Sequence, residues 1–197
     1  MSFINHKTKE IHFKVVYYGP SLSGKTTNIQ WIFEKTQGEN KSELVELPGD
    51  LERTVFFDFL PMSIGEIRGF KARFHLYSVP GQVVFDASRR LILKGLDGVV
   101  FVADSQKERL EENLESMANL EKNLEKQGYE LKKLPHVIQY NKCDLSNSLP
   151  KSELSKVLNK YNAVEFEAEA KRGVGVFESL KSVSKSIITL MKGGSLS

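Results

Sequence analysis

The 197 residues predict a three-layer α/β domain with a mostly parallel central sheet, and three observations carry that expectation. Short runs of β-branched and aromatic residues alternate along the chain with stretches that repeat apolar residues every three or four positions. One run, Asp97 to Asp104 (DGVVFVAD), is apolar throughout its middle, as a central strand covered on both faces must be. Two further strand-like runs, Val55 to Leu60 and Lys71 to Val79, are separated by Gly65 and Gly69 and read as a pair that supplies one antiparallel strand.

The elements follow in order. Ile11 to Tyr18 (IHFKVVYY) reads as a buried strand that ends at Gly19. Lys25 to Thr36 places Ile29, Ile32 and Phe33 on one side of a helix, and the polar stretch Gln37 to Ser42 then reads as a loop. After the strand pair, a helix is expected from beyond Gly81 to about Lys94, and the strand Asp97 to Asp104 follows. From Gln106 to Gln127, Leu110, Leu114, Met117, Leu120 and Leu124 recur at spacings of three and four, the pattern of an amphipathic helix with Glu and Lys on its other face. Pro135 to Tyr140 is a strand, a weak helix follows Pro150, and Ala163 to Ala168 is an edge strand. Val176, Phe177, Leu180, Val183, Ile187 and Met191 keep a helical period through about Lys192. The expectation is a single domain over 1–197, with its core at about 11–192 and a flexible tail at 193–197.

Composition excludes several classes. Hydrophobic residues at 40% and charged residues at 27% suit a globular domain with a sizeable core, not disorder. A net charge of +3 lacks the clustered basic signature of nucleic-acid binders, so no nucleic acid is expected as a partner. The lone Cys143 has no disulfide partner, the first residues show no secretory h-region, and a cytoplasmic location follows. The apolar runs fall far short of the roughly 20 residues of a membrane helix. Ser2 is not a myristoylation glycine and the last residues hold no prenylation cysteine, so membrane association would need a partner.

The chemistry is expected in the loops beyond the carboxyl ends of the strands, where Gly19, Gly81, Asp104 and Asn141 fall. Gly19-Pro20-Ser21-Leu22-Ser23-Gly24-Lys25-Thr26 fits G-x-x-x-x-G-K-[ST] between a predicted strand and a predicted helix, the context that this motif requires. Such a loop aims backbone N–H groups and a helix N-terminus at phosphate oxygens, through Thr27. Lys25 adds a point charge, and the Thr26 hydroxyl ligates Mg2+. About 115 residues further on, Asn141-Lys142-Cys143-Asp144 fits N-K-x-D after another strand. An aspartate carboxylate there can accept both the ring N–H and the exocyclic amino hydrogens of guanine, a donor pair that adenine lacks. Glu169-Ala170-Lys171 resembles a third guanine-contacting loop.

With these motifs in place, the chain resembles the MglA family of bacterial Ras-like small GTPases. The segments that carry the resemblance are YYGPSLSGKTTN (Tyr17 to Asn28), ERTVFFDFLP (Glu52 to Pro61), FHLYSVPGQ (Phe74 to Gln82), VFVADS (Val100 to Ser105) and GVFESL (Gly175 to Leu180), and it spans about Ile11 to Met191. It implies the three-layer P-loop NTPase architecture of small G proteins and a GTPase switch that binds GTP, GDP and Mg2+ and controls cell polarity and motility. It further implies an MglB-type roadblock-domain GTPase activator, polarity and motility effectors, recruitment to a cell pole in the GTP state, and a monomer when alone. By resemblance, Thr54 closes over Mg2+ and the γ-phosphate, Gln82 orients the attacking water, and the Gly81 N–H senses the γ-phosphate. From the residues alone Arg53, beside Thr54, reads as a solvated loop arginine, and the resemblance instead implies an arginine finger in cis.

Two positions depart from the pattern. The aspartate of the common D-x-x-G motif is replaced by Ser78, where the MglA family usually has Thr, so no negative charge is offered to the metal there. Asp58 is either a substitute acid or a residue on the solvent face of its strand. Ser21 stands where the family usually has Gly, beside the γ-phosphate region, and slow unassisted turnover is expected. The second-strand run Val55 to Leu60, apolar apart from Asp58, suits either a strand that shifts register, as the family is reported to do, or one buried on both faces.

His6, His12, His75 and His136 lack metal-ligand spacing and read as structural. Cys143 is either a filler or an oxidation-sensitive neighbour of Asp144, and the charged face Glu108 to Glu125 is a solvated helix face or a partner contact. Two alternatives to the switch are a nucleotide-binding module with negligible hydrolysis, suggested by Ser78 and Ser21, and a P-loop kinase or ATPase, which N-K-x-D opposes.

Overall fold

The computed structural model describes residues 3–36, 45–47, 54–59, 66–67, 69–80 and 86–193. Strands β1 (Phe3–Asn5), β2 (Glu10–Tyr18), β3 (Val45–Leu47), β4 (Thr54–Phe59), β5 (Glu66–Ile67), β6 (Phe70–Ser78), β7 (Gly98–Asp104), β8 (His136–Asn141) and β9 (Val164–Ala168) form one sheet. Helices α1 (Lys25–Thr36), α2 (Asp86–Leu93), α3 (Leu110–Glu125), α4 (Lys151–Leu158) and α5 (Val176–Gly193) connect them. The sheet order is β3-β4-β6-β2-β7-β8-β9. Pairings from β6 through β9 are parallel, and β4 joins β6 antiparallel as the strand pair predicts. The short β1, β3 and β5 add antiparallel pairings that two or three residues are too few to announce in sequence.

Strand alternation divides the core into two layers. Ile11, Phe13, Val15 and Tyr17 of β2 face one side, where Ile29 and Ile32 of α1 and Val176, Leu180, Val183 and Ile187 of α5 cover them. Val16 and Tyr18 face the other, against Leu93, Met117, Leu120, Leu124 and Leu154 from α2, α3 and α4. All seven residues of β7 are buried, including the terminal Asp104. At its start Gly98 lets α5 approach the sheet, since a Cβ there would lie 2.8 Å from the Ile187 Cδ1.

Some expectations shift at helix ends. The helix read from Gln106 begins as a 3-10 turn over Lys107–Arg109, and α3 proper starts at Leu110. The Asp104 carboxylate accepts the Gln106 N–H at 3.2 Å, which holds this segment to the end of the sheet before the α-helix starts. Residues 81–85, expected to lead into α2, lie outside the described residues. Phe177 and Leu114, counted on buried faces by periodicity, are exposed at the rims of their stripes.

Tyr17 carries a testable consequence. Its side chain is fully buried among apolar neighbours, and among the described residues its hydroxyl has no hydrogen-bond partner. A buried orphan hydroxyl costs about 1–3 kcal/mol, so Tyr17→Phe is expected to unfold in urea at an equal or higher concentration, with stability raised by about 1 kcal/mol. A clear loss of stability would show that the hydroxyl is bonded in solution.

Candidate functional site

The glycine motif lies where β2 gives way to α1. Gly19 has φ 145°, and a Cβ there would meet the Val102 carbonyl oxygen at 2.1 Å, so the loop can leave the sheet against β7 only with glycine at this position. The loop's carbonyl groups are engaged from several directions. Arg109 Nη2 donates to Ser21 O at 2.8 Å, Asn141 Nδ2 to Ser23 O at 2.7 Å, and Asn28 Nδ2 to Gly24 O at 3.0 Å. Lys25 Nζ, itself buried, donates to Gly19 O at 3.1 Å and Pro20 O at 2.6 Å. With the carbonyls bound, the N–H groups of the loop and of the first turn of α1 are what it offers a ligand. Leu22 turns the loop at φ 60°, with its side chain exposed.

Asn28, three residues into α1, also forms a buried two-way amide pair with Gln139 of β8, at 2.8 and 2.9 Å. Gln139 continues to Gly175 O and Ser179 Oγ, each at 3.2 Å. The phosphate-type loop is thereby joined through β8 to the start of α5.

The N-K-x-D loop follows β8 directly. Asn141 is buried, and its Oδ1 accepts the Ala170 N–H at 2.9 Å while its amide holds Ser23. One side chain thus links all three predicted ligand loops. Lys142 Nζ pairs with Asp104 Oδ2 at 2.5 Å. Asp144 is exposed and accepts no hydrogen bond from a described residue, and Lys171 is exposed beside it. Leu22, Gly24, Thr27, Asn141, Lys142, Asp144, Ala170 and Lys171 line one cleft of about 520 Å3. Glu169, from the third predicted loop, and Gln106, Leu145 and Arg172, which no motif marks in the sequence, complete its wall.

The remaining expected residues are Arg53, Thr54, Asp58, Gly81 and Gln82. Arg53, Gly81 and Gln82 lie outside the described residues. Thr54 is the first residue of β4, and the register of Phe56 against Tyr77 carries it level with the residue after Ser78, at the loop end of the sheet. Asp58 pairs with His75, three positions before Ser78 in β6, hence roughly 10 Å back along the strands at about 3.3 Å per residue.

This arrangement has close relatives. A profile of the ADP-ribosylation factor family matches residues 1–188. The chain is 60% identical over 194 residues to the mutual gliding-motility protein MglA of Myxococcus xanthus, covering 98% of this chain and 100% of that protein. It is also 37% identical over 86 residues to human ADP-ribosylation factor-like protein 4A, covering 43% of this chain and 40% of that protein. The chain belongs to the ADP-ribosylation factor family and is an MglA-type small GTPase. Small GTPases of this family bind GTP and GDP, typically with Mg2+, and hydrolyse GTP.

The residues present suit such a metal. Among the described residues no group of three or more His, Cys, Asp or Glu side chains could hold an ion. The buried Ser78 at the end of β6 and Thr26 at the start of α1 offer hydroxyl oxygens instead. A few hard oxygens completed by phosphate and water is the set that Mg2+ accepts. Among the described residues no helix is long and apolar enough to cross a membrane.

Three of the histidines make polar contacts within the fold. His12 Nδ1 and His75 Nε2 meet at 2.8 Å, and His136 Nδ1 reaches Leu134 O at 2.8 Å. Burial, reinforced by Glu169, Glu167 and Asp144, raises the Cys143 thiol above its ordinary value, which opposes the oxidation-sensitive reading.

Two measurements test this site. A Cβ on Gly24, whose φ is 103°, would lie 2.1 Å from Asn141 Nδ2. Gly24→Ala is therefore expected to weaken GDP binding roughly 10- to 100-fold, the loss of one or two hydrogen bonds of about 1–3 kcal/mol, in titrations with a fluorescent GDP analogue. Iodoacetamide should alkylate Cys143 more slowly than a cysteine peptide at neutral pH, and its pH profile should rise only above the ordinary thiol midpoint. An early rise would mean that the thiolate is stabilised.

Proposed function

We propose that the chain is a GTP-dependent switch of bacterial cell polarity and gliding motility, which hydrolyses GTP slowly alone and faster with an MglB-type roadblock-domain activator. The observation that carries this reading is the tie made by Asn141, which holds Ser23 O at 2.7 Å and the Ala170 N–H at 2.9 Å and so joins a phosphate loop to a guanine-reading loop. The 60% identity to a gliding-motility protein over its whole length supports the biological setting.

In this reading Asp144 takes the guanine edge, flanked by Asn141, Lys142, Ala170 and Lys171. Gly19 through Thr27 hold the phosphates, with Lys25 supplying charge. Thr26 and Thr54 would hold Mg2+, which neutralises charge on the β- and γ-phosphate oxygens. Gln82 orients the attacking water, and the Gly81 N–H registers the γ-phosphate, so that the segments around Thr54 and Gly81 relax when it leaves. Arg53 stabilises the transferring phosphoryl group in cis, a contribution of ~10³ to 10⁵ in rate where such fingers operate. The activator moves Arg53 and Gln82 into place without inserting an arginine of its own. The GTP form engages polarity and motility effectors and is recruited from the cytoplasm to a cell pole.

Ser78 favours a second reading, a nucleotide-binding module without turnover, because it brings no negative charge to the metal side of the site. Single-turnover GTP hydrolysis decides between them, with wild type beside Arg53→Ala and Gln82→Ala, each with and without a roadblock-domain protein. The expected outcome is acceleration of wild type by orders of magnitude, abolished by either substitution, and competition by GTP but not ATP. Background hydrolysis throughout, with tight GTP binding, would leave the module reading.

A further inference from the structure

Arg109 belongs to no motif, yet its guanidinium meets both a carbonyl of the glycine loop and the carboxylate that pairs with Lys142. It lies in the turn before α3, donating through Nη2 to Ser21 O at 2.8 Å and through Nη1 to Glu112 Oε1 at 2.6 Å. Its Nε is 3.9 Å from Asp104 Oδ2. That carboxylate is fully buried at the end of β7 and takes Lys142 Nζ at 2.5 Å on the same oxygen. One buried anion therefore faces the cation of the guanine-reading loop and the cation that grips the phosphate loop.

The grip falls where the loop needs it. Ser21 precedes Leu22, whose φ of 60° is a left-handed conformation that residues with side chains rarely adopt, so the turn depends on restraint from outside. Ser23 and Gly24 are held by neutral amides, whereas the Ser21 carbonyl receives a charged donor, which makes the stronger hydrogen bond. The planar fork of arginine serves Ser21, Glu112 and Asp104 from three separate nitrogens, a spread that the single nitrogen of an ammonium lacks.

We infer that Arg109 is a positioning residue for nucleotide retention, holding the Ser21–Leu22 turn and coupling it through Asp104 to Lys142, so that the phosphate and base ends of the cleft grip and release as one unit. The inference rests on the nucleotide site proposed above. It makes base discrimination depend on a residue that does not line the cleft.

The test measures release of fluorescently labelled GDP and inosine diphosphate, which lacks the exocyclic amino group, from wild type, Arg109→Ala, Arg109→Lys and Glu112→Gln. Arg109→Ala is expected to release GDP about tenfold faster and to shrink the GDP-to-inosine diphosphate ratio about threefold, the scale of one charge-assisted hydrogen bond. Arg109→Lys should recover part of both effects, and Glu112→Gln, which removes only the helix-side partner, should stay within about twofold of wild type. Wild-type release from Arg109→Ala, or faster release with an unchanged ratio, overturns the coupling. Glu112→Gln matching Arg109→Ala would show a helix brace and also overturn it. If Arg109→Ala does not fold, the lysine variant carries the same test at an expected two- to threefold acceleration, and its wild-type behaviour overturns the inference. A wild-type protein that binds neither nucleotide would instead remove the site assignment itself.

Discussion

A phosphate loop reserves its N–H groups for a ligand, so its carbonyl groups need partners from the protein if the loop is to hold its shape. Asn141 supplies the central partner here, and the cost of burying its amide is met at both ends, by Ser23 O and the Ala170 N–H. The carboxyl end of β8 is what places it, because a strand paired on both sides cannot let its last residue drift. Gly24 completes the fit by leaving room for the amide where a Cβ would stand.

The sheet makes that placement possible. Its parallel strands end in register, with Asp104 opposite Asn141 and Asn141 opposite Ala168, so the loops that follow them open onto one cleft. Two layers of helices exclude water from β7, and this gives the Asp104 carboxylate its leverage: a buried anion must be paired, and its partners are Lys142, the Gln106 N–H and the nearby Arg109. The amide pair of Asn28 and Gln139 adds a neutral counterpart beneath the loop. Both networks are paid for in buried polar surface and return a loop with little freedom.

The metal side of the site is organised differently. Antiparallel pairing of β4 with β6 brings the start of one strand beside the end of the other, so that Thr54 and Ser78 share the loop end of the sheet. Neither carries charge, so a metal held at this end would have to take its negative charge from phosphate. Asp58, the acid nearest in sequence, is carried away from that end by the same register.

Much of this molecule was legible in its residues. The bounds of α1 match the periodic stretch Lys25 to Thr36, and the runs read as β2, β6, β7 and β8 lie within a residue or so of the observed strands, because burial, on both faces of β7 and β8 and at alternate residues of β6, imposes β-branched and aromatic composition that local sequence displays. The glycine loop and the N-K-x-D loop were legible for a related reason: each motif is a contiguous spacing of neighbouring residues. The two- and three-residue strands were not, since so few residues hold no period, nor was the exposure of Phe177, which depends on how far α5 is covered. The bonds that join Arg109 to Ser21, Asn28 to Gln139 and Asn141 to Ser23 span 88, 111 and 118 positions. Arg109, Asn28 and Gln139 are ordinary polar side chains, and Asn141 shows no tie to Ser23, until the sheet stacks its strand ends. The sequence by itself determined where the two loop motifs stand, and only the tertiary structure decided that they line one cleft and which groups hold them still, because a hydrogen bond needs its partners within about 3 Å and that closeness comes from packing.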